Sequence, residues 1–312
     1  MISVITPAFN EAENLRALHE RLASAMATVG VEWEWIVVDD HSRDDTFAVV
    51  HALAAVDPRV RGFRLASNSG SHVAITCGLH QAAGAAAIML AADLQDPPET
   101  IARMIDKWRA GAQVVWAVRR ERPGDKAHAG FAALYYWVVR NVVGMKQMPA
   151  RGADFFLADR RVLDAFKQFP ERNVSVLALI TWLGFRQESV EYDKQARVAG
   201  RSGWTFARRI RLFVDSVTAF SDVPLRLCFH GGVLLMALAL IVGIVAAVLL
   251  PSVGAALLLI LAVMIGLAGM QLLALAIVGA YVWRALEESR RRPQYLIERI
   301  AGRHPSVPAP AR

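Results

Sequence analysis

Residues 35–46 have the sequence WIVVDDHSRDDT, and this stretch decides the fold class. Its first four residues are large and apolar, and they end abruptly in Asp39 and Asp40, which is typical of a strand buried in a parallel sheet. The polar residues after the two aspartates lead into a pattern over 45–56 that predicts a helix. A buried strand, a polar turn and a helix in this order predict one βα unit, with both aspartates at the carboxyl end of its strand.

The same alternation of strand and helix continues on both sides of this unit. Short runs rich in β-branched and aliphatic residues predict strands over 2–6, 35–39, 60–65, 87–91 and 113–118. Helical patterns cover 14–29, 45–56, 72–83 and 99–110. This order predicts an α/β fold, a mostly parallel sheet with helices on both faces. Because ligands of such sheets bind outside the carboxyl ends of the strands, functional residues are expected there.

Polar side chains follow four of the predicted strand ends. They are Asn10 and Glu11, Asp39 and Asp40, Asn68, and Asp93 to Asp96. The segment after the first strand, TPAFNE at 6–11, has no glycine, so it is not a dinucleotide-binding G-x-G-x-x-G turn, and no Walker A motif occurs. Carboxylates at two strand ends instead indicate a divalent cation that offsets the charge of a diphosphate.

The chain has no Asp, Glu, Lys or Arg between Arg226 and Arg284, and its mean hydropathy is +0.33. This excludes a purely soluble enzyme. The apolar run breaks at LPSVG, 250–254, which gives two stretches near 227–250 and 257–283, each long enough to cross a bilayer as a helix. Because basic residues flank both outer ends, the sequence predicts a transmembrane hairpin with both termini in the cytoplasm.

Basic residues adjoin this apolar region, and they account for much of the net charge of +7. The stretch 194–211 holds six basic residues and no acidic one, and 204–220 predicts an amphipathic helix in the membrane interface. The apolar segment 127–144 suits either an interface helix or a packed one. Attraction to anionic lipid headgroups explains these charges better than a nucleic-acid partner. Two cysteines, Cys77 and Cys228, support neither a disulfide framework nor a zinc site.

Several short motifs occur in a defined order along the chain. They are PAFNE at 7–11, VDDHSRDDT at 38–46, NSG at 68–70, AADLQDPPE at 91–99, Arg119 with Arg122, Asp154 with Phe155, RVAGRS at 197–202 and FSDVPLR at 220–226. In this order they resemble family 2 glycosyltransferases, specifically polyprenyl-phosphate glycosyltransferases related to dolichol-phosphate mannosyltransferase and bactoprenol glucosyltransferases. The resemblance implies a GT-A-like domain in the cytoplasm over 1–193, a basic juxtamembrane loop and interface helix over 194–226, two transmembrane helices over 227–283 and a basic cytoplasmic tail over 284–312.

The resemblance also implies roles for individual residues. The nucleotide-sugar would contact Pro7, Phe9, Glu11, Asp39, Asp40, Asn68, Ala92 and Asp93. Asp93 and Gln95 would hold Mg²⁺ or Mn²⁺, and the catalytic set would be Asp93, Asp154, Arg119 and Arg122. The lipid phosphate would meet Arg122, Arg197 and Ser202. Ala91 stands where the family usually has a first metal-binding aspartate, so a donor phosphate and water would complete the metal's ligands.

The implied reaction is an inverting transfer of one sugar from a UDP- or GDP-linked donor to a polyprenyl (undecaprenyl) phosphate, at the cytoplasmic face of the bacterial inner membrane. A phosphate monoester is mostly dianionic at pH 7, so its oxygen needs no strong general base. Asp154 is therefore expected to position the acceptor or the arginines. Two alternatives stay open: transfer to another membrane lipid alcohol, which needs a true base, and a catalytically degenerate binder, which Ala91 motivates. Homo-oligomers are common among such proteins.

Overall fold

The computed structural model describes residues 1–120, 137, 140–141, 147–149, 153, 155–169, 175–195, 223–249, 253–290 and 292–302. The chain divides into two compact units. One comprises Met1–Phe213 together with Pro293–Arg312, and the other is Val214–Arg292. The first unit is therefore discontinuous in sequence, since the second unit is inserted into it.

A single sheet forms the centre of the first unit. Its strands are β1 (Ile2–Ala8), β2 (Trp33–Asp39), β3 (Val60–Leu65), β4 (Ala86–Met89), β5 (Val114–Arg119), β6 (Phe155–Asp159), β7 (Gln187–Tyr192) and β8 (Ile297–Ala301). They lie in the order β7-β5-β6-β4-β1-β2-β3-β8. The neighbours β4, β1, β2 and β3 are all parallel, as are β5 and β7, whereas β6 and β8 run antiparallel to their neighbours. The predicted α/β fold with a mostly parallel sheet is confirmed.

Helices connect and cover these strands. Those of the first unit are α1 (Ala12–Val29), α2 (Thr46–Val56), α3 (Ser71–Gln81), α4 (Ile101–Arg109), α5 (Arg160–Phe166) and α6 (Val176–Trp182). The longest, α1, buries one stripe at helical spacing, Leu15, Leu18, Leu22 and Met26, and ends where Gly30 adopts a left-handed conformation. Strands β1 and β2 are almost wholly buried, so the core lies on both sides of them.

The predicted tail over 284–312 is partly wrong. The last long helix continues to Ser289, and β8 then pairs with β3 at the edge of the sheet. Three of the five residues of β8 are exposed and two of those, Glu298 and Arg299, are charged. Edge strands often carry charges that discourage pairing with other chains, which removes the alternating apolar pattern by which strands are recognised. Residues 303–312 lie outside the described part of the chain.

Two long helices make up the described part of the second unit, α7 (Val223–Leu249) and α8 (Val253–Ser289), and they pack against each other. Within α8 the stretch Leu259–Trp283 is long and apolar enough to cross a membrane, with a mean hydropathy of 2.4 and no buried side chain among those described. In α7 the corresponding apolar stretch, Cys228–Leu238, is shorter. The transmembrane hairpin over 227–283 therefore stays a prediction, and the interface helix over 204–220 lies outside the described residues.

Candidate functional site

The loops that follow β1, β2, β3 and β4 meet at one edge of the sheet, because these four strands are parallel neighbours. Asp39 ends β2, and Asp93 follows β4, on the other side of β1. Strands two positions apart in a sheet are separated by about 10 Å. The two carboxylates therefore flank the end of β1 across a distance that an extended, multiply charged ligand can span.

Asp39 is wholly buried, and both of its carboxylate oxygens accept hydrogen bonds. The backbone N–H of Ser42 donates to Oδ1 at 2.8 Å, and Arg64 Nη1 on the neighbouring strand donates to Oδ2 at 2.7 Å. Arg64 also donates to the Ser42 carbonyl oxygen at 3.0 Å. A buried carboxylate is costly unless it is paired, and Arg64 is the cation that pairs with Asp39 at the end of the strand.

Asp40 joins the loop after β2 to the loop after β3. Its two carboxylate oxygens accept the backbone N–H groups of Ser69, at 2.7 Å, and Gly70, at 2.8 Å. Its own carbonyl oxygen accepts from the Asn68 side-chain amide at 3.1 Å. Burial raises the pKa of Asp40 above its usual value, and the two N–H groups oppose that rise. Asp40 and Asn68 thus shape the start of α3.

The loop after β1 is tied in the same way to the loop after β2. The backbone N–H of Asn10 donates to Ser42 Oγ at 2.9 Å, and that of Glu11 donates to Thr46 Oγ1 at 2.9 Å. Asp44 accepts from both the N–H and the hydroxyl of Thr46, so it acts as a turn residue at the start of α2.

Asp93 lies on a tight turn beyond β4, and its Oδ1 accepts the backbone N–H of Gln95 at 3.2 Å. The residue between them, Leu94, has a φ of +59°, a left-handed conformation that an L residue with a side chain rarely adopts. Both Asp93 and Gln95 are partly exposed, and both offer the hard oxygen donors that Mg²⁺ and Mn²⁺ accept. Among the described residues no three His, Cys, Asp or Glu side chains form a metal-binding group.

The residue that ends this turn, Asp96, is buried and connects to β7. The hydroxyl of Tyr192 donates to Asp96 Oδ1 at 2.6 Å, and Lys194 Nζ lies 3.6 Å from the same oxygen. The backbone N–H of Gln195 donates to the carbonyl oxygen of Gln95 at 2.9 Å. The chain that leaves β7 is therefore fastened alongside the turn that carries Asp93.

The other predicted site residues are placed as follows. Pro7 lies partly buried in β1, Phe9 is 42% exposed just beyond it, Ala92 is buried before Asp93, and Arg119 ends β5 with an exposed side chain. Four predicted residues lie outside the described part of the chain, namely Arg122, Asp154, Arg197 and Ser202. Their roles stay predictions, as do the binding roles of the described residues.

Sequence reasoning missed two residues. Arg64 holds Asp39 in place, and Tyr192 holds Asp96. Arg64 lies in a run, VRGFRL, whose pattern predicts a strand and nothing more. A charged residue at the end of a buried strand is itself a signal, because arginine is almost never fully buried without a partner. Tyr192 gave no such signal, since its partner Asp96 is far away in the sequence.

Comparison with known proteins identifies relatives of this chain. Residues 3–166 match the sequence model of Glycosyl transferase family 2. The glycosyltransferase YkcC of Bacillus subtilis (strain 168) is 32% identical, over 96% of this chain and 94% of that protein. The prophage bactoprenol glucosyl transferase homolog of Escherichia coli (strain K12) is 30% identical, over 96% of this chain and 99% of that protein.

A solved structure shares the fold. Mannosyl-3-phosphoglycerate synthase from Rubrobacter xylanophilus superposes with a TM-score of 0.50 and 18% identity, over 74% of this chain and 75% of that chain. This likeness agrees with the GT-A-like arrangement of the sheet. The match of the family model to more than half of the chain and the two nearly full-length relatives lead to one conclusion: the protein belongs to the family 2 glycosyltransferases.

Proposed function

We propose that this glycosyltransferase moves a single hexose from a UDP- or GDP-linked donor to a polyprenyl phosphate, such as undecaprenyl phosphate, with inversion at the anomeric carbon. The observation that carries the proposal is the pair of carboxylates, Asp39 and Asp93, at the carboxyl ends of the two strands that flank β1 and in the loops beyond them. Asp39 is paired and buried, which suits recognition of a base edge. Asp93 is partly exposed on its turn, which suits the diphosphate end of the same donor.

The donor site is proposed to include the residues around this edge. Pro7, Phe9 and Glu11 would line the base and ribose pocket, and Ala92 would approach the donor through its backbone. Asp93 and Gln95 would hold Mg²⁺ or Mn²⁺, which when bound offsets the negative charge of the diphosphate leaving group. Arg119, at the end of β5, and Arg122 would add positive charge near the phosphates of donor and acceptor.

A lipid acceptor is supported by two observations. Relatives that match nearly the whole chain are named bactoprenol glucosyl transferases, and α8 contains a stretch long and apolar enough to cross a bilayer. In the reaction, an oxygen of the lipid phosphate forms the new bond to the anomeric carbon while the bond from that carbon to the donor diphosphate breaks. A nucleoside diphosphate leaves. Because the phosphate oxygen is already anionic, Asp154 is proposed to position the acceptor, with Arg122, Arg197 and Ser202 near its phosphate.

The proposed location is the cytoplasmic face of the bacterial inner membrane, with both termini in the cytoplasm. The first unit contains residues on both sides of the second unit, and β8 completes the sheet after α8. A chain segment that leaves a unit and returns to it crosses a bilayer an even number of times. This connectivity supports two spans rather than one.

The test uses the purified full chain in detergent with Mn²⁺ or Mg²⁺ and a panel of UDP- and GDP-sugars. Each donor is incubated with and without undecaprenyl phosphate, and the lipid product is identified by mass spectrometry. We expect a polyprenyl-phosphate-sugar whose formation needs the divalent cation. The rate should fall at least 100-fold in Asp93→Ala, since that variant loses a ligand of the cation that offsets the charge of the leaving diphosphate. Asp164→Ala is the matched control, because Asp164 is an exposed carboxylate on α5.

Other outcomes would contradict the proposal in distinguishable ways. Product formed only with a lipid alcohol, together with a steep loss in Asp154→Asn, would assign the acceptor to that class. Tight binding of a nucleotide-sugar without turnover on any acceptor would identify a degenerate binder, which Ala91 in the metal motif makes the second candidate. Equal activity of Asp93→Ala and Asp164→Ala would remove Asp93 from the mechanism, and equal activity with and without the divalent cation would remove the metal.

A further inference from the structure

The strand that follows the second unit, β8, reaches the donor site through an irregularity in its pairing with β3. Gly62, Phe63 and Arg64 pair with Ala301, Ile300 and Arg299, but Leu65 then pairs with Ile297. Glu298 is therefore the extra residue of a β-bulge. Bulges are one way in which a strand re-aims a side chain.

The carboxylate of Glu298 accepts a hydrogen bond from Arg64. Arg64 Nε donates to Glu298 Oε2 at 3.0 Å, while Nη1 of the same guanidinium donates to Asp39 Oδ2 at 2.7 Å. The side chain of Glu298 is 37% exposed, that of Arg64 is 17% exposed and that of Asp39 is not exposed at all. A chain of charges thus runs from the surface of β8 through Arg64 to the buried carboxylate at the end of β2.

The geometry of arginine makes this arrangement directional. Its guanidinium is planar, and its donors point in fixed directions, so bonds on two sides fix the orientation of the whole group. Asp39 and the Ser42 carbonyl each accept from one Nη group, and Glu298 accepts from Nε on the other side. Without Glu298, the guanidinium keeps its two Nη bonds but loses the one that holds its Nε side, so the orientation in which it holds Asp39 can shift.

We propose that Glu298 is a positioning residue of the donor site, which acts through Arg64 to orient Asp39 toward the nucleobase. This inference rests on the proposed function, in which Asp39 contacts the base. It assigns to β8, the strand that follows α8, a role in nucleotide binding. Glu298 itself touches no substrate, so its effect belongs to nucleotide affinity and not to the chemical step.

If β8 has only a structural role, Tyr295 is the residue that tests it. Tyr295 packs on α3, where its hydroxyl lies 3.0 Å from His80 Nδ1 and also bonds to Cys77 and Gln81. Tyr295 holds the segment before β8 without touching Arg64 or Asp39. If β8 only covers the sheet edge, Tyr295→Phe and Glu298→Ala should have similar effects.

The test measures nucleotide affinity by calorimetry on the purified full chain in detergent. The probe is UDP or GDP, whichever binds the wild type more tightly, and inorganic diphosphate is the probe that lacks a base. In Glu298→Ala we expect the nucleotide Kd to rise about five-fold, the upper range for one partly exposed charged pair, with the diphosphate Kd unchanged. Glu298→Gln keeps an acceptor oxygen, so its nucleotide Kd should lie between those of the wild type and Glu298→Ala. The donor KM should rise in parallel, with kcat and the acceptor KM unchanged.

Glu188→Ala is the matched control. Glu188 also lies on an edge strand of the same sheet, is equally exposed at 37% and pairs with Lys107 at 3.1 Å, but it is on β7 at the opposite edge. Its nucleotide Kd should equal that of the wild type. A double-mutant cycle of Glu298→Ala with Arg64→Lys should be non-additive if Glu298 acts through Arg64.

Two results would overturn the inference. The first is a nucleotide Kd in Glu298→Ala within two-fold of the wild type, while Asp39→Asn or Arg64→Lys weakens nucleotide binding. This result would support the proposed donor site but exclude a role for Glu298 in it. The second is an equal loss of nucleotide and diphosphate affinity, matched by Tyr295→Phe, which assigns β8 a structural role. If folded Asp39→Asn and Arg64→Lys both bind nucleotide as the wild type does, the proposed base contact and this inference fail together.

Discussion

Three residues other than glycine adopt left-handed backbone conformations, among the residues the structure describes. They are Asn10, His41 and Leu94, with φ values of 56°, 59° and 59°. Each lies in a loop just beyond a strand at the carboxyl edge, after β1, β2 and β4 respectively. Such conformations cost about 1–2 kcal/mol each for most residues and persist where surrounding contacts fix them. The loops around Asp39 and Asp93 are therefore held in shape at some expense of stability.

Substitutions of Asn10 measure how much stability one left-handed conformation costs. Its side-chain oxygen accepts the backbone N–H of Arg43 at 2.8 Å. In Asn10→Ala, loss of that bond and the poorer fit of alanine to a positive φ should lower the free energy of unfolding by about 1–2 kcal/mol. Asn10→Gly loses the same bond but accepts the backbone conformation, so its loss should be about 0.5–1 kcal/mol smaller.

The measurement is denaturant unfolding of the full chain in detergent, followed by tryptophan fluorescence. The comparison of the two variants isolates the backbone term, since both lack the asparagine side chain. Equal destabilisation by alanine and glycine would mean that the left-handed conformation at residue 10 carries no strain.

At the scale of elements, the link between β7 and the turn after β4 connects the sheet to the chain that leads toward the second unit. Tyr192 and Lys194 contact Asp96, and Gln195 contacts Gln95. Lys194 and Gln195 are the first residues of the basic stretch 194–211, in which Arg197 and Ser202 are expected to meet the lipid phosphate. These first two residues are thus held by the same turn that carries Asp93.

Removal of one hydroxyl tests this link. Tyr192→Phe keeps the ring, which packs edge-on against Phe155, but leaves Asp96 without its 2.6 Å donor. Loss of this hydrogen bond to a buried carboxylate costs about 1–3 kcal/mol, so the turn and the attached segment should loosen. We expect the KM for the lipid acceptor to rise more than the KM for the nucleotide-sugar, as measured by steady-state kinetics with each substrate varied in turn.

Lys107→Ala is the comparison for this variant, because it removes a partly exposed ion pair on α4 away from the turn. It should leave both KM values unchanged. An equal rise of both KM values in Tyr192→Phe would show that the hydroxyl supports the site as a whole and does not set the acceptor segment.

At the scale of the whole molecule, the insertion of the helical unit into the sheet unit predicts a membrane topology. The chain has two cysteines, Cys77 and Cys228, so a cysteine-free background needs only two substitutions. In that background, Ser252→Cys lies between α7 and α8, and Ser289→Cys lies at the end of α8. With two spans, an impermeant thiol reagent should label position 252 from outside intact cells and position 289 only after the membrane is opened.

Protection of both positions until the membrane is opened would contradict two complete crossings. Labelling of position 289 in intact cells would place the end of α8, and with it the start of the segment that forms β8, outside the cytoplasm. The second result would also remove the cytoplasmic donor site from the proposed function.

Much of the fold could be predicted from the sequence, and the reason is local. The stretch 35–46 contains a strand, its polar turn and a helix start within twelve consecutive positions, and the other parallel strands follow the same rule. Asp39, Asp40 and Asp93 were found because strand ends of a parallel sheet share one edge. The role of Asp44 as a turn residue was also foreseeable, since it depends on a neighbour in sequence.

What could not be predicted depends on contacts between distant parts of the chain. Arg64 reaches both Asp39 and Glu298, and Glu298 lies 234 positions further along the chain. A short edge strand with charged side chains resembles a solvated tail in sequence, so 297–301 was assigned to one. The partner of a buried charge is set by the order of strands in the sheet, which no single segment encodes.

The late position of β8 in the chain has a consequence for how the protein is made. On the ribosome, β3 emerges long before β8, and both long helices are synthesised between them. Until β8 arrives, the outer edge of β3 presents unpaired N–H and C=O groups, the kind of edge that pairs with other chains and aggregates. A soluble fragment cut at Phe213 would keep that edge open permanently and would lack Glu298 as well. A usable soluble enzyme would have to carry 293–302 joined to its end by a linker.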